Sequence, residues 1–374
     1  MKVLVTGSEG FIGKNLVVRL KELDGFEVIT FSRNDSDNSL KDKVSISDAV
    51  IHLAGENRPK LDKSFKEGNI DLTDRLCIAI SQKKTKVPVI FTSSTQAKIE
   101  NIYGNTKLAA ENIVEKLSLD HGNPVFIYRL PGVFGKWCKP NYNSVVATFC
   151  NNIANDLPIK ITDSSHLLRL VYIDDVISAF IEVLTGKSSY TIHRNEVSPE
   201  YNILLGDLFS TINEFKKSRS TLISAKVGSG LLRALYATYI SYLPKESFMY
   251  PLVSNEDERG VFVEMLKTQD SGQFSFFTAH PGITRGGHYH HTKSEKFLVV
   301  KGKADFGFRH IISDETYRIQ TSDESPCIVE TIPGWTHDIT NIGDEEMIVM
   351  LWANEIFDQD KPDTIASQVK YEKT

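Results

Sequence analysis

Two groups of residues in this chain have the types and spacing to do chemistry. The first is YGNTK (103–107), preceded by the hydroxyl-rich FTSST (91–95). Residues four apart share a helix face, which brings Tyr103 and Lys107 together. A free phenol has a pKa near 10 and shuttles protons poorly at neutral pH, whereas a neighbouring ammonium favours phenolate. Lys107 is therefore expected to pull the Tyr103 phenol down. Ser94, ahead of Ser93 or Thr95, is placed to hydrogen-bond a carbonyl. The second group is GITRGGHYHHTKSEKFLVVKG (282–302), with three histidines in four positions and a glutamate before an apolar run. On a strand, residues i and i+2 face one side, so His288 and His290 point together and His291 points away. Glu295 opens the next strand, where Lys296 faces away, and His337 follows a proline-glycine turn in PGWTHDITN (333–341). Three imidazoles and a carboxylate suit Zn²⁺, with Fe, Mn, Ni or Co as other divalent candidates. His280, His291 and His310 read as ordinary surface or core residues.

The elements that must position these groups differ between the two halves. VLVTGSEGFIG reads as a strand, a glycine turn (Gly7, Gly10, Gly13) and a helix start at Phe11 and Ile12. Such glycines let the backbone approach a pyrophosphate, whose charge meets the helix N-terminal amides. A dinucleotide-binding loop is the expectation, because the motif lies between a strand and an amphipathic helix. At the end of the second strand, where NAD-binding folds often place an acid, stand Ser32 and Arg33. Arg33 can pair with a 2′-phosphate, so NADPH is the expected cofactor.

Strand-like runs (VLVTG, EVITF, AVIHLAG, VIFTSS, FIYRL) alternate with helical stretches up to about residue 185, the pattern of βαβ units around a parallel sheet. Residues 186–225 read as a smaller lobe of the same domain and 226–250 as the joint. After Phe248 the chain becomes a series of short β-rich runs separated by turns, which predicts an antiparallel sandwich or small barrel. The expected domains are thus 1–245 and 246–374, an α/β doubly wound Rossmann-like fold followed by an all-β fold.

At 374 residues two domains are the natural prior. A net charge of −5 gives no basic field for nucleic acid. The four cysteines show no CxxC spacing, so neither a disulfide framework nor a thiolate metal site is indicated. Met1 leads at once into a strand, and LLRALYATYISYL (231–243) is too short to cross a bilayer and carries Arg233. A cytoplasmic protein with no membrane or nucleic-acid partner is expected.

Over residues 1–225 these motifs resemble the extended short-chain dehydrogenase/reductase family. HLAG (52–55) is similar to that family's fourth-strand motif, which implies cofactor contacts from Leu53, Ala54 and Gly55, and Lys107 is implied to touch the cofactor as well. RLVYIDDV (169–176) is similar to its late R-x-V-Y-x-D-D-V signature, implying that Arg169 binds a sugar nucleotide. The structural alternative is an ion pair of Arg169 with Asp174 or Asp175. Asn143 resembles the family's substrate-binding asparagine. Thr95 and Gln96 stand where sugar dehydratases of the family carry an acidic pair, so keto-sugar reduction is implied instead, with a proton from Tyr103.

From about residue 248 the chain resembles the cupin family, a double-stranded β-helix or jelly-roll: G-x5-H-x-H-x4-E-x6-G is complete from Gly282 to Gly302, and the second motif carries His337. DERGVFVE (257–264) is similar to an element of cupin-type keto-sugar 3,5-epimerases, implying nucleotide-sugar contacts from Arg259 and Glu264. Those epimerases keep a base histidine at the position of His288 and an enolate-stabilising lysine at that of Glu295. A His288 that ligates metal cannot also be the base, and the cation can take over the lysine's role.

The pairing of both modules resembles the bifunctional enzymes of capsule and O-antigen synthesis. It implies a UDP-linked 4-keto-6-deoxy amino sugar, UDP-2-acetamido-2,6-dideoxy-L-arabino-4-hexulose, epimerised at C3 and reduced at C4 to UDP-N-acetyl-L-pneumosamine. That product is the L-talose epimer on the route to UDP-N-acetyl-L-fucosamine. It further implies zinc and a homodimer joined through the cupins. The alternatives are an NAD-dependent UDP-sugar 4-epimerase whose cupin only binds or dimerises, and an NADPH-sensing regulator.

Overall fold

Hydrophobic runs rich in Val, Ile and Phe form the central sheet, and stretches with one apolar face cover it. In the computed structural model, which describes residues 1–58, 61, 63–186, 192–291, 293–360 and 362–369, the chain divides into two units. One comprises Met1–Ile212 with Arg233–Pro244, the other Asn213–Leu232 with Lys245–Thr374. Within the predicted joint, 226–250, Gly230–Ile240 is a helix burying Ala234, Leu235, Thr238 and Tyr239, and Lys245–Ser247 is a 3-10 turn.

In the first unit β1 (Lys2–Thr6), α1 (Phe11–Glu22), β2 (Glu27–Phe31), α2 (Asp37–Ile46) and β3 (Ala49–His52) alternate in chain order. They are followed by α3 (Lys63–Phe65), a π-helical turn (Lys66–Asp71), α4 (Leu72–Ser81), β4 (Val89–Ser94), a 3-10 turn (Thr95–Lys98), α5 (Ile102–His121) and β5 (Val125–Leu130). With Ile192–Asn195 these strands form one parallel sheet of order β2-β1-β3-β4-β5 and then 192–195. The order reverses beside β1, and the C-terminal ends of β1 and β3 therefore frame the crevice in which open α/β sheets bind ligands. Leu4, Val50, Val89, Phe91 and Ile127 pack beneath it against Leu76, Ala110 and Val114 of the helices. α5 is bounded at both ends: Asn101 accepts a hydrogen bond from Gly104 N at 2.8 Å, and Gly122 closes the helix at φ 71°. A small second sheet joins Gly132–Phe134, Leu167–Tyr172 and Glu200–Leu204.

The second unit takes in the end of the helix Leu205–Thr221 and is all-β from Ser254 onward among the described residues. One sheet orders Ile223–Ser224, Gly260–Thr268, Gly272–Ala279, Met347–Ala353, Glu295–Lys301 and Ile328–Glu330, with Ser254–Asp257 paired to Gly260–Thr268. The other orders Thr316–Ser322, Lys303–His310, Trp335–Asn341, Thr284–Tyr289 and Ile365–Ala366. All pairings are antiparallel except the parallel one of the two-residue strand 223–224. Inward residues of both sheets, Phe277, Phe297 and Val349 from the first and Phe306, Phe308 and Ile339 from the second, form one core. No helix among the described residues is long and apolar enough to cross a membrane.

Candidate active sites

The glycine loop leaves β1 at Gly7, whose φ of +67° disfavours any side chain. A Cβ there would lie 2.7 Å from Ala54 N, and one on Gly13 would lie 2.2 Å from Gly7 O. Close packing of loop, helix and the strand-end HLAG thus requires both glycines. Leu53 N donates to Thr6 O at 3.3 Å and Ala54 N to Thr6 Oγ1 at 3.2 Å, fixing the HLAG strand end beside the loop. The predicted cofactor residues Gly7, Gly10, Phe11, Ile12, Gly13, Leu53, Ala54 and Gly55 therefore gather beyond the C-terminal ends of β1 and β3. Gly10 caps α1 without a side chain, so the first-turn amides that begin at Phe11 and Ile12 keep their anion-binding potential. Ser32 donates to Asp35 through its amide at 2.8 Å and its hydroxyl at 3.3 Å. Arg33 is exposed and forms an ion pair with Glu56.

Ser94 ends β4, accepts from Gln96 N at 3.2 Å and reaches the Tyr103 phenol with its hydroxyl. Ser93 is buried, whereas Ser94 and Thr95 are both partly exposed. Tyr103 and Lys107 lie one turn apart at the start of α5, as the spacing predicts. The expected direction of tuning is corrected: burial raises the Tyr103 pKa, and the Ser94 hydrogen bond is what lowers it. Lys107 acts elsewhere. Its Nζ donates to Thr92 O at 3.0 Å, lies 5.3 Å from the Phe91 ring centre and abuts Gly55. Burial brings its pKa down to about 8 against the pull of Glu111. A phenol that stays protonated at neutral pH is suited to giving a proton to a developing alkoxide.

Arg169 lies on Leu167–Tyr172 and is held by Glu200 through two bonds of 2.7 and 2.8 Å, not by Asp174 or Asp175. Glu200 reaches it from the antiparallel neighbour strand, while Asp174 is bound by Lys136 at 2.7 Å. Asn143 is exposed in the turn before Ser144, the N-cap of the helix Val145–Ala154.

In the second unit a register shift between Gly286 and His288 sets His288 directly opposite His337 on the neighbouring strand. His290 follows the end of the same strand, and its ring centre is 4.8 Å from that of His288. Glu295 enters from the other sheet. Its Oε2 lies 3.1 Å from His290 Nε2, 3.2 Å from His337 Nε2 and 4.0 Å from His288 Nε2. One donor atom from each of the four residues lies within 4.8 Å of all the others. His291 is exposed against Tyr289, and Lys296 turns outward to Glu330, both as the strand alternation requires.

The donor set of this cluster fits a cation. His290 Nδ1 meets the carbonyl of Asp363, which only accepts, so Nδ1 carries the proton. Its Nε2 is thereby turned toward the Glu295 carboxylate, where both can act as donors to a cation. Both ring nitrogens of His337 are buried without a hydrogen-bond partner. Burial and the neighbouring imidazoles hold His288 down at about 4 against the pull of Glu295, leaving its nitrogen free to ligate. Burial pushes the Glu295 carboxyl up, but its contacts with His290 and His337 and the charge of Lys293 hold it well below the usual range. The nitrogen and oxygen donors match a zinc-type site, with the carbonyl of Asp363 as outer partner orienting His290. Arg259 is bound to Asp257 within the DERG turn, and Glu264 to Lys267 at 2.7 Å.

The model of the NAD dependent epimerase/dehydratase family matches residues 3–202, and that of the polysaccharide biosynthesis C-terminal domain matches 255–365. The chain belongs to the NAD dependent epimerase/dehydratase family. It is 54% identical, over 99% of both chains, to a Pseudomonas aeruginosa protein named UDP-2-acetamido-2,6-beta-L-arabino-hexul-4-ose reductase. Among solved structures it matches the capsular polysaccharide assembling protein CapF of Staphylococcus aureus with a TM-score of 0.92 and 39% identity, covering 98% of this chain and 100% of that one. A UDP-glucuronic acid 4-epimerase of Bacillus cereus, determined with NAD, shares the fold of 65% of this chain at 19% identity and a TM-score of 0.56, the match covering 98% of that structure.

Within this member of the epimerase/dehydratase family, three residues of the sites were missed by sequence reasoning. Asn69, in the π-helical turn, accepts from Glu56 N at 2.8 Å and donates to Glu56 O at 3.0 Å and to Thr106 Oγ1 at 3.1 Å, fixing the loop after HLAG. Nothing in its sequence neighbourhood announces a π turn. Asp363 ties the C-terminal segment to the histidine–glutamate cluster, accepting from His291 N and Lys293 N at 2.9 Å each. Arg285 is half-buried 5.2 Å over the Phe277 ring, and its Nε and Nη2 are buried with no hydrogen-bond partner. Its place three residues before His288, inside RGGH, was the available signal.

Proposed function

We propose that the chain epimerises UDP-2-acetamido-2,6-dideoxy-L-arabino-4-hexulose at C3 in its cupin module. In its N-terminal module it then reduces the C4 ketone with NADPH, giving UDP-N-acetyl-L-pneumosamine for polysaccharide synthesis. What supports this reading is that each unit carries a set of polar groups suited to one half-reaction: Ser94 beside Tyr103, with Lys107 one helical turn on, in one unit, and the His288, His290, Glu295 and His337 cluster in the other. The P. aeruginosa relative, named as a reductase of this hexulose, supports the substrate, and the family match supports a nicotinamide cofactor.

When bound, NADPH supplies hydride and a divalent cation supplies Lewis acidity beside the 4-oxo group. Gly7, Gly10 and Gly13 would admit the pyrophosphate, and Lys107, beside Gly55, would face the bound cofactor. Ser94 orients the ketone oxygen and Tyr103 protonates it. His288, His290, Glu295 and His337 hold the cation, while Arg169, Asn143, Arg259 and Glu264 serve the nucleotide sugar. Epimerisation precedes reduction, because only the ketone acidifies the C3 proton and the alcohol fixes the new configuration.

The test omits NADPH. Protein and the 4-keto sugar are incubated in D₂O, and deuterium at C3 is followed by NMR with and without chelator. Enzyme-dependent exchange that the chelator abolishes is expected. Exchange no faster than the uncatalysed background would reduce the second module to a binding or dimerising part.

A further inference from the structure

The ion pair of Arg33 with Glu56 has a particular place in the sheet. β2 and β3 flank β1, and Thr6 pairs with Phe31 on one side and His52 on the other. Arg33 stands two residues past Phe31 and Glu56 four past His52. A side-chain bond between them therefore bridges two strand spacings, about 10 Å. It passes the end of β1, where the glycine loop begins, and so spans the mouth of the crevice at the switch point. Its two ends are unequal. The Arg33 side chain is 85% exposed and that of Glu56 19%, and Asn69 clamps the Glu56 main chain at both its N–H and its carbonyl. Glu56 is the fixed post and Arg33 the arm.

We propose that this pair is a latch across the dinucleotide crevice, in which Glu56 competes with a ligand's 2′-phosphate for Arg33 and thereby sets how strongly the site distinguishes phosphorylated from unphosphorylated dinucleotide. The inference rests on the NADPH reading above. A 2′-phosphate presents nearly two charges and three acceptor oxygens to a guanidinium that pairs in a bidentate manner, so it displaces a single carboxylate. A 2′-hydroxyl does not displace it, and Arg33 then stays on Glu56. Exposed ion pairs are weak, so the arm is released easily and the effect is a matter of a few-fold.

The test is isothermal titration of the full chain with NADP⁺ and with NAD⁺, for the wild type, Glu56→Gln, Arg33→Ala and the double variant, with circular dichroism to check the fold. Glu56→Gln keeps the main-chain bonds to Asn69. It is expected to tighten NADP⁺ about two- to fivefold, to move NAD⁺ by less than about twofold, and to do nothing on the Arg33→Ala background. Unchanged or weaker NADP⁺ binding in Glu56→Gln overturns the latch, as does the same tightening without Arg33. If Arg33→Ala abolishes a preference for NADP⁺ while Glu56→Gln changes nothing, the latch alone fails. If the wild type shows no preference and Arg33→Ala alters neither affinity, the NADPH reading fails and the latch with it.

Discussion

In the N-terminal site the working groups are already partnered within the protein: Lys107 donates to Thr92 O, Ser94 reaches Tyr103, and Asn69 holds the loop after HLAG. In the C-terminal site they are not. Three imidazoles and a carboxylate face one another, and both nitrogens of His337 are buried without partners. A crevice for a dissociable organic cofactor must be stable when empty, so its polar groups satisfy each other. A cation site need not be, because the ion completes the electrostatics. Leaving such a cluster without an ion costs free energy of the order of a few kcal/mol for each buried unpaired group.

The sharpest way to break this comparison is to remove one proton. Tyr103→Phe deletes the acid without disturbing the fold of α5, and ketone reduction is expected to fall about 10²- to 10⁴-fold in stopped NADPH oxidation assays. Deuterium exchange at C3 and metal content should stay at wild-type levels. Loss of exchange alongside reduction would show that the two sites are not separable.

The second way removes the ion rather than the acid. Glu295→Gln keeps the shape but withdraws the one anionic donor, and metal affinity should drop by more than the roughly 10- to 100-fold typical of outer-shell changes. Inductively coupled plasma mass spectrometry and competition with a chelating dye report the loss directly. C3 exchange should fall with it, while reduction of an already epimerised ketone persists. Full metal occupancy in Glu295→Gln would remove Glu295 from the ligand set.

What the chain made legible in advance divides along the same line. Gly7-x2-Gly10-x2-Gly13, Tyr103-x3-Lys107 and the His288/His290 spacing are local patterns of a loop, a helix and a strand end, and such patterns follow from backbone periodicity. The parallel sheet and the antiparallel sandwich were equally readable from alternation and turn spacing. Partnerships made across the fold were not readable. Arg169 meets Glu200 because two strands pair antiparallel, and Asp363 meets His290 because the C-terminal segment returns 73 residues later. The direction of the Tyr103 shift also depends on burial, which the motif does not encode. Arg285 is the harder case, since RGGH does not tell that its guanidinium stacks on Phe277 with Nε and Nη2 buried and without hydrogen-bond partners.

That arginine also gives the comparison its finest test. Arg285 is half-buried over Phe277 with two N–H groups lacking hydrogen-bond partners, which an anionic ligand would satisfy. Arg259 lies close enough to lower the Arg285 pKa, after burial, and the two cations together would receive a diphosphate better than either alone. Arg285→Met should therefore move two quantities in opposite directions. The free protein should gain stability, by up to about 1 kcal/mol, because buried N–H groups without partners disappear. The apparent KM for the UDP-sugar in the exchange reaction should rise about tenfold, the size of one lost charge-assisted hydrogen bond. Metal content should not change, which separates this variant from Glu295→Gln. A variant that loses stability without any change in KM would make Arg285 a packing residue of the barrel and leave Arg259 alone to meet the substrate.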